Sequence, residues 1–314
     1  MREGKAKGSE LVIYPDGTLY HIDLKRADNI PPSIFLVGAA ERVDSFAKAF
    51  DSVFFQHRNS VRPEFYTVAG VYKDIPMAAI STGIGPDNIE IVMNELHALF
   101  EYDHQKSEWI NVLPRVNIIR VGTCGASLKE IPAGAFAISR YSIGLDNLGA
   151  YYPAVKRDAT AKKIEDEFLK TIVGKTNPFS YVSPASADVI AALEKSAKDA
   201  GEEDPMLISG ITTTSPGFFA PEGRKIGRLK TAFSLEQFVA LIQKFEAEGL
   251  KIINHEMETS ILFRLCNEIL GYRAGAICVV LDNLSSDEFI DAGFAKERIG
   301  KCVKVALGAM VKLT

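Results

Sequence analysis

The stretch NIIRVGTCGAS, residues 117–127, decides how the chain is read. It begins as an apolar run interrupted by one arginine and ends in small residues. A short apolar run of this kind reads as a buried strand. An arginine cannot shed its charge inside a protein, so Arg120 at the end of that strand needs an anionic partner. Two partners fit: a bound anion, or an internal carboxylate. The residues that follow, Gly122, Thr123, Cys124 and Gly125, are small. They let backbone amides and the Thr123 hydroxyl come close to a ligand.

Outward from this strand, helical and extended patterns alternate. SIFLVG (33–38) reads as a strand and ERVDSFAKAF (41–50) as an amphipathic helix. YTVAGVY (66–72) and PMAAIST (76–82) read as two strands of a hairpin. The turn GIGPDN (83–88) opens a helix that runs to about Tyr102. Its apolar positions Ile89, Val92, Met93, Leu96, Leu99 and Phe100 share one face. GAFAIS (134–139), LISGIT (207–212) and AGAICVVL (274–281) are further strands. Residues 160–173 and 186–199 read as exposed helices, and 235–248, 256–270 and 295–313 as helices. The alternation predicts an α/β fold, a single domain with a central mixed β-sheet covered by helices on both faces. Residues 1–32 are polar and turn-rich and read as a leader lying across the surface, without a core pattern; residues 33–314 form the domain.

Composition excludes several classes. With 314 residues and 47% apolar side chains the chain can bury a sizeable core. The 36 basic and 40 acidic side chains give a net charge of -4, with no long basic run. Nucleic-acid binding, which depends on phosphate neutralisation, is not expected. No apolar stretch reaches the ~18 residues of a membrane helix, and no signal segment follows the first residues. Cys124, Cys266, Cys278 and Cys302 lack paired or metal-type spacing. That pattern suits buried thiols in a cytoplasmic protein.

Four more segments carry chemistry-bearing side chains. STGIGPDN (81–88) places glycines between a strand and a helix, which suits an anion at the helix N-terminus or simply a tight turn. In VGAAERV (37–43) a strand ends in Gly38, with Arg42 one helical turn on. NHEMETS (254–260) carries Glu256 and Glu258 near a helix start. On a helix they point about 200° apart, so one serves a ligand and the other the structure. A carboxylate suits the two vicinal hydroxyls of a ribose. FFAPEGR (218–224) joins an aromatic pair to Glu222 and Arg224, a set that can read a planar heterocycle or decorate a surface loop.

Taken in order, GAAER, STGIGPD, RVGTCG, FFAPEGR, EMET and VVLDN resemble the nucleoside phosphorylase superfamily, most of all its uridine phosphorylase type, from about His21 to the C-terminus. The resemblance implies reversible phosphorolysis: uridine and phosphate give uracil and ribose 1-phosphate. It puts the phosphate site at Gly38, Arg42, Arg120 and Thr123. A further arginine comes from the neighbouring subunit, with Arg62 first and Arg58 second. It puts the ribose site at Met257, Glu258 and a partner's His21, and the base site at Phe218, Glu222 and Arg224. Arg120 and Arg224 are the implied catalytic pair. Arg224 would steady the charge growing on the leaving base, and Glu222 would accept from uracil N3–H. Glu64, Asn88 and the Ile84 carbonyl match a cation site at a dimer interface. No other cofactor is implied, and phosphate is the co-substrate. Shared residues require at least a homodimer, and the resemblance implies that the leader, residues 1–32, packs at the subunit interface.

Three departures stand out. Glu222 replaces the base-reading glutamine, Leu284 stands where VxxNR has its arginine, and Ala39-Ala40 replace Asp-Pro. They keep two alternatives open: a purine or broad-specificity phosphorylase, with Asp282 near purine N7, and a non-catalytic nucleoside-binding paralogue.

Overall fold

A computed structural model describes residues 8–110 and 114–314. Contacts group these residues into two compact units. The first comprises residues up to Gly83 together with Asn88–Ile118. The second comprises Ile84–Asp87 and Ile119–Thr314. The chain passes from one to the other at the start of a helix and inside a strand rather than through a linker, so no composition shift marks the division.

In the first unit, β1 (Ser33–Val37) leads into α1 (Ala40–Ala49), β2 (Ser52–Arg58), β3 (Tyr66–Tyr72) and β4 (Ile75–Ser81). The helix α2 (Pro86–Glu101) and a small ribbon of β5 (Tyr102–Asp103) and β6 (Glu108–Trp109) follow. β1 runs parallel to β4, with Leu36 opposite Ile80. β3 and β4 form the expected hairpin, turning at Lys73 and Asp74, both with positive φ. β2, which the pattern does not announce, pairs antiparallel with β3 as an exposed strand. Every residue of β1 is buried. α1 lies against β1, β3 and β4 and stacks Phe46 on Phe35 at 4.4 Å. In α2, Ile89, Val92, Met93, Leu96 and Leu99 are buried as the periodicity requires, and Phe100 is half-buried.

The leader is not free of core residues. Leu19, Ile22 and Leu24 are buried, and Leu19 sits beside Ala98 and Leu99 of α2. The buried Glu95 carboxylate of α2 fastens this segment. It accepts the His21 and Ile22 backbone N–H groups at 3.0 and 2.8 Å, with His21 Nδ1 at 2.7 Å. Three apolar residues scattered among turn residues carry no periodic signal, which is why the pattern reads as polar.

The second unit holds most of β7 (Asn117–Ala126), then β8 (Phe136–Gly144), α3 (Leu148–Tyr151), α4 (Ala159–Phe168), α5 (Ile172–Thr176) and β9 (Tyr181–Pro184). It continues with α6 (Ala187–Asp199), β10 (Leu207–Thr214), α7 (Leu235–Lys244), β11 (Glu246–Ala247) and β12 (Leu250–Glu256). It ends with α8 (Thr259–Leu265), β13 (Arg273–Asn283), β14 (Glu288–Phe289) and α9 (Ala292–Leu313). The strand order is β11-β12-β10-β8-β13-β7. β10 is parallel to β8 and β12, and β13 is antiparallel to β8, so the sheet is mixed. β12 also meets β7, His255 opposite Gly125, which closes the series from β12 to β7 on itself.

α6 and α9 pack together on β13, and α8 lies against β8, β9, β10 and β13. α6 is amphipathic rather than exposed: Val189, Ile190, Leu193 and Ala197 are buried. The helix expected over 256–270 is shorter. Residues 250–256 are a strand, α8 starts at Thr259, and Cys266–Leu270 form a π turn. The run LKIINHE alternates too little to separate a buried strand from a helix. All four cysteines are buried, and the α/β class with a mixed sheet is borne out.

Leu24 tests whether the leader belongs to the core. With its side chain fully buried, Leu24→Ala should cost about 2–5 kcal/mol. A denaturant midpoint unchanged from the parent would show that the leader contributes no core.

Candidate active site

Arg120 is the centre of the second unit's polar core. Its side chain is 5% exposed. Nη2 donates to the Glu258 carboxylate, and Nη1 lies 3.3 Å from Glu256 and donates to Cys278 Sγ at 3.1 Å. Of the two partners open to Arg120, the structure shows internal carboxylates, Glu258 and Glu256. Burial works against its charge, but Glu258 and Glu256 outweigh it and hold the guanidinium above its ordinary value. A guanidinium has five N–H donors, so two remain for an anion. Gly122 has a steric reason: a Cβ there would lie 1.9 Å from Arg120 Nη1. Thr123 is the one residue of β7 that is not buried.

Glu256 and Glu258 are not on a helix and do not point apart. Glu256 closes β12 and Glu258 is the residue before α8. At this strand-to-helix junction both carboxylates reach Arg120. Their tasks still differ. Glu256 accepts the backbone N–H groups of Glu258 and Thr259 and the Thr214 hydroxyl, so it fixes the junction. Glu258 accepts Arg120 and the Gly85 N–H at 2.9 Å. Gly85 holds φ at +101°, a conformation that suits glycine. Burial pushes the Glu258 carboxyl up, while Arg120 pulls it down. Met257, between the two carboxylates, is half-buried.

A second polar cluster gathers around FFAPEGR. Phe218 is half-exposed and carries the Arg224 guanidinium over its ring at 4.4 Å. Glu222 is 2% exposed, in a 3₁₀ turn over Ala220–Glu222, so it does not decorate a surface loop. One of its oxygens takes Arg224 Nε at 2.9 Å and the other lies 3.5 Å from His255 Nδ1. Burial opposes ionisation here, but His255 and Arg224 outweigh it and hold the Glu222 carboxyl below its usual range. Asp282 lies 3.8 Å from Arg224 Nη2, and burial pushes its carboxyl up. His255 was not among the expected site residues. Its only sequence signal is its place directly before EMET, which a helical reading conceals.

The remaining expected residues lie in the first unit, apart from Ile84, which belongs to the second. Gly38 follows β1 and accepts the Gly83 N–H at 3.1 Å; Arg42 is in the first turn of α1. His21 is held by Glu95 as described, and Asn59 donates to its carbonyl at 2.9 Å. Arg62 stacks over Tyr20 at 4.2 Å and Arg58 over Tyr66 at 4.3 Å. His21 and Arg62, both expected to serve a neighbouring subunit, thus share one patch. Glu64 and Asn88 both approach Gly83. Ile84 is 71% exposed. No cluster of three or more His, Cys, Asp or Glu side chains suited to a metal occurs among the described residues.

A family model, the phosphorylase superfamily, matches residues 32–312. A uridine phosphorylase of Thermococcus kodakarensis is 26% identical over 281 residues, 88% of this chain and 82% of that one. A solved Trypanosoma brucei nucleoside phosphorylase, described as showing uridine phosphorylase activity, is 30% identical with a TM-score of 0.85. It covers 96% of this chain and 99% of its own. A purine nucleoside phosphorylase from Toxoplasma gondii, 21% identical, superimposes with a TM-score of 0.66 over 96% and 98% of the two chains. The fold by itself therefore does not choose the base.

Arg120→Ala should destabilise the protein by about 3–5 kcal/mol, because it leaves two buried carboxylates unpaired. It should also greatly weaken phosphate binding. Calorimetric titration with phosphate, alongside thermal unfolding, reads both effects; near-parental phosphate affinity would remove Arg120 from the anion site.

Proposed function

The chain belongs to the phosphorylase superfamily, and on that footing we propose that it is a uridine phosphorylase, cleaving uridine with inorganic phosphate to uracil and ribose 1-phosphate. The observation that carries the reading is the Arg120–Glu258 contact. It joins a residue expected to hold phosphate to one expected to hold ribose, inside one buried cluster. Glu258 is fixed by Arg120 and the Gly85 amide, and a carboxylate has further lone pairs for the ribose 2′- and 3′-hydroxyls. Phosphate is then the nucleophile. Its oxygen forms the bond to C1′ as the C1′–N1 bond breaks, the electron pair leaves on uracil, and the phosphate proton ends on the base. No protein nucleophile is required.

Positive charge develops on the ribose and negative charge on the base. The phosphate balances the first. Arg224, backed by Phe218, balances the second as a preorganised donor. Holding phosphate in line with C1′ can supply several kcal/mol of the barrier, at most about 7–11. Gly38, Arg42 and Thr123 complete the phosphate assignment on the family pattern, and Met257 the ribose assignment.

We also assign His21 and Arg62 to the neighbouring subunit's site, which makes a homodimer the smallest active form. Glu64, Ile84 and Asn88 are the residues assigned to an interface cation. No helix among the described residues is long and apolar enough to cross a membrane. The reading places the chain in the cytoplasm, in pyrimidine salvage.

One observation favours a purine base. Asp282 stands beside Arg224 with its carboxyl pushed up by burial, as a donor to purine N7 would need. Phosphorolysis assays separate the two. We expect uracil release from uridine that vanishes when phosphate is omitted, and slow release of hypoxanthine from inosine. Faster inosine turnover would move the assignment to purines, and phosphate-independent release would make the protein a hydrolase. Mixing inactive His21→Ala with inactive Glu258→Ala and reassembling the oligomer should restore activity in hybrids. A mixture as inactive as its parents would refute site sharing.

A further inference from the structure

The Glu222 carboxylate is already spoken for. It is 2% exposed, with one oxygen on Arg224 Nε and the other facing His255 Nδ1. Two polar atoms near it are not engaged: His255 Nε2 and Arg224 Nη2 are buried and have no hydrogen-bond partner. His255 is 3% exposed. A buried polar atom without a partner is costly, so these two, on side chains that both meet Glu222, mark a place where a ligand's polar groups are expected.

The surroundings fix what His255 presents. Its ring sits edge to face against Phe238 at 5.8 Å, which holds its plane. Gly125 makes room for it: a Cβ there would lie 2.3 Å from Cε1, 2.8 Å from Nε2 and 3.0 Å from Asp282 Oδ1. The charged groups around the imidazole are Glu222 from the turn before α7, Arg224 beside it, Asp282 from β13, and Glu256 next along its own strand. The Glu222 carboxylate, on the Nδ1 side, favours a proton on Nδ1. That tautomer leaves the Nε2 lone pair as an acceptor.

We propose that His255, rather than Glu222, reads the imide edge of the pyrimidine: its Nε2 accepts uracil N3–H while Arg224 Nη2 donates to the adjacent carbonyl. Glu222 is then a positioning residue, setting the His255 tautomer and aiming Arg224 through Nε. Asp282 aims the same guanidinium from its other end. An acceptor beside a donor complements the uracil edge. Cytidine presents the reverse, a lone pair at N3 and an amino group at C4, and is refused because like groups would face each other. The glutamine-to-glutamate departure is thereby explained: a carboxylate suits this position when its neighbour is a histidine that must be held in one tautomer. This deepens the uridine phosphorylase reading and rests on it.

The test begins with phosphate-dependent cleavage of uridine and 3-methyluridine by the unaltered enzyme. If uridine is not cleaved, the functional reading fails before this inference is reached. If uridine is cleaved and 3-methyluridine is refused, His255→Phe should raise the uridine KM by about 5- to 100-fold, the loss expected when N3–H is left unpaired. It should also narrow the gap between the two substrates. Glu222→Gln should weaken uridine binding in the parent but add little to His255→Phe, since it acts through the imidazole. Unchanged discrimination in His255→Phe, or fully additive effects, would return the contact to Glu222 and overturn the proposal. Should His255→Phe not fold, the ¹⁵N-histidine NMR spectrum of the unaltered enzyme decides. A His255 proton on Nδ1, with Nε2 shifting when uracil binds, supports the assignment. A proton on Nε2, or no response to uracil, rejects it.

Discussion

A buried guanidinium that cannot lose its charge governs the second unit. Arg120 sits in a strand whose other residues, Asn117 aside, are apolar or small, and the protein balances it with two carboxylates from a single turn. Either carboxylate alone in this core would be expensive, and so would the arginine without them. The arrangement explains several local choices at once. Gly122 is bare because the guanidinium folds back over it. The Cys278 thiol accepts from Nη1. Hydrogen bonding from Cys124 and the nearby arginine hold Cys278 below its usual range against its burial.

The same constraint bears on why the proposed site gathers where strand β12 meets strand β7. The His255–Gly125 pairing sets the register of the turn that follows, which places Glu256 and Glu258 against Arg120. It also sets His255 against the FFAPEGR segment. One strand pairing thus feeds both the sugar-and-phosphate end and the base end of the proposed reaction. A phosphorylase asks for little covalent chemistry from its protein: its nucleophile arrives from solution and its leaving group is stabilised by charge. Rigid placement of a few ions is what the reaction demands, and a charge-locked core supplies it.

Much of this was legible in the sequence, for identifiable reasons. The strands around Arg120, the hairpin at 66–82 and the apolar face of α2 carry strong periodicity or turn chemistry. Arg120 was legible as a charge in an apolar strand that needs an anionic partner, whereas Glu258, Glu222 and Arg224 were singled out by the resemblance of their motifs. What escaped was set by tertiary contact. The leader's buried residues gain their role from α2, the edge strand β2 from β3, and the carboxylates at 256 and 258 from a strand-to-helix junction that local pattern read as helix. His255 escaped because its significance lies in Glu222, thirty-odd residues earlier, and in the bare Gly125 across the sheet.

The most direct measurement is a structure of the protein with phosphate and an uncleavable uridine analogue bound together. The account predicts a phosphate oxygen within hydrogen-bond reach of the Arg120 guanidinium, both ribose hydroxyls on Glu258, and the pyrimidine ring beside Phe218 and Arg224. Phosphate bound away from Arg120, or a ribose that leaves Glu258 untouched, would contradict it.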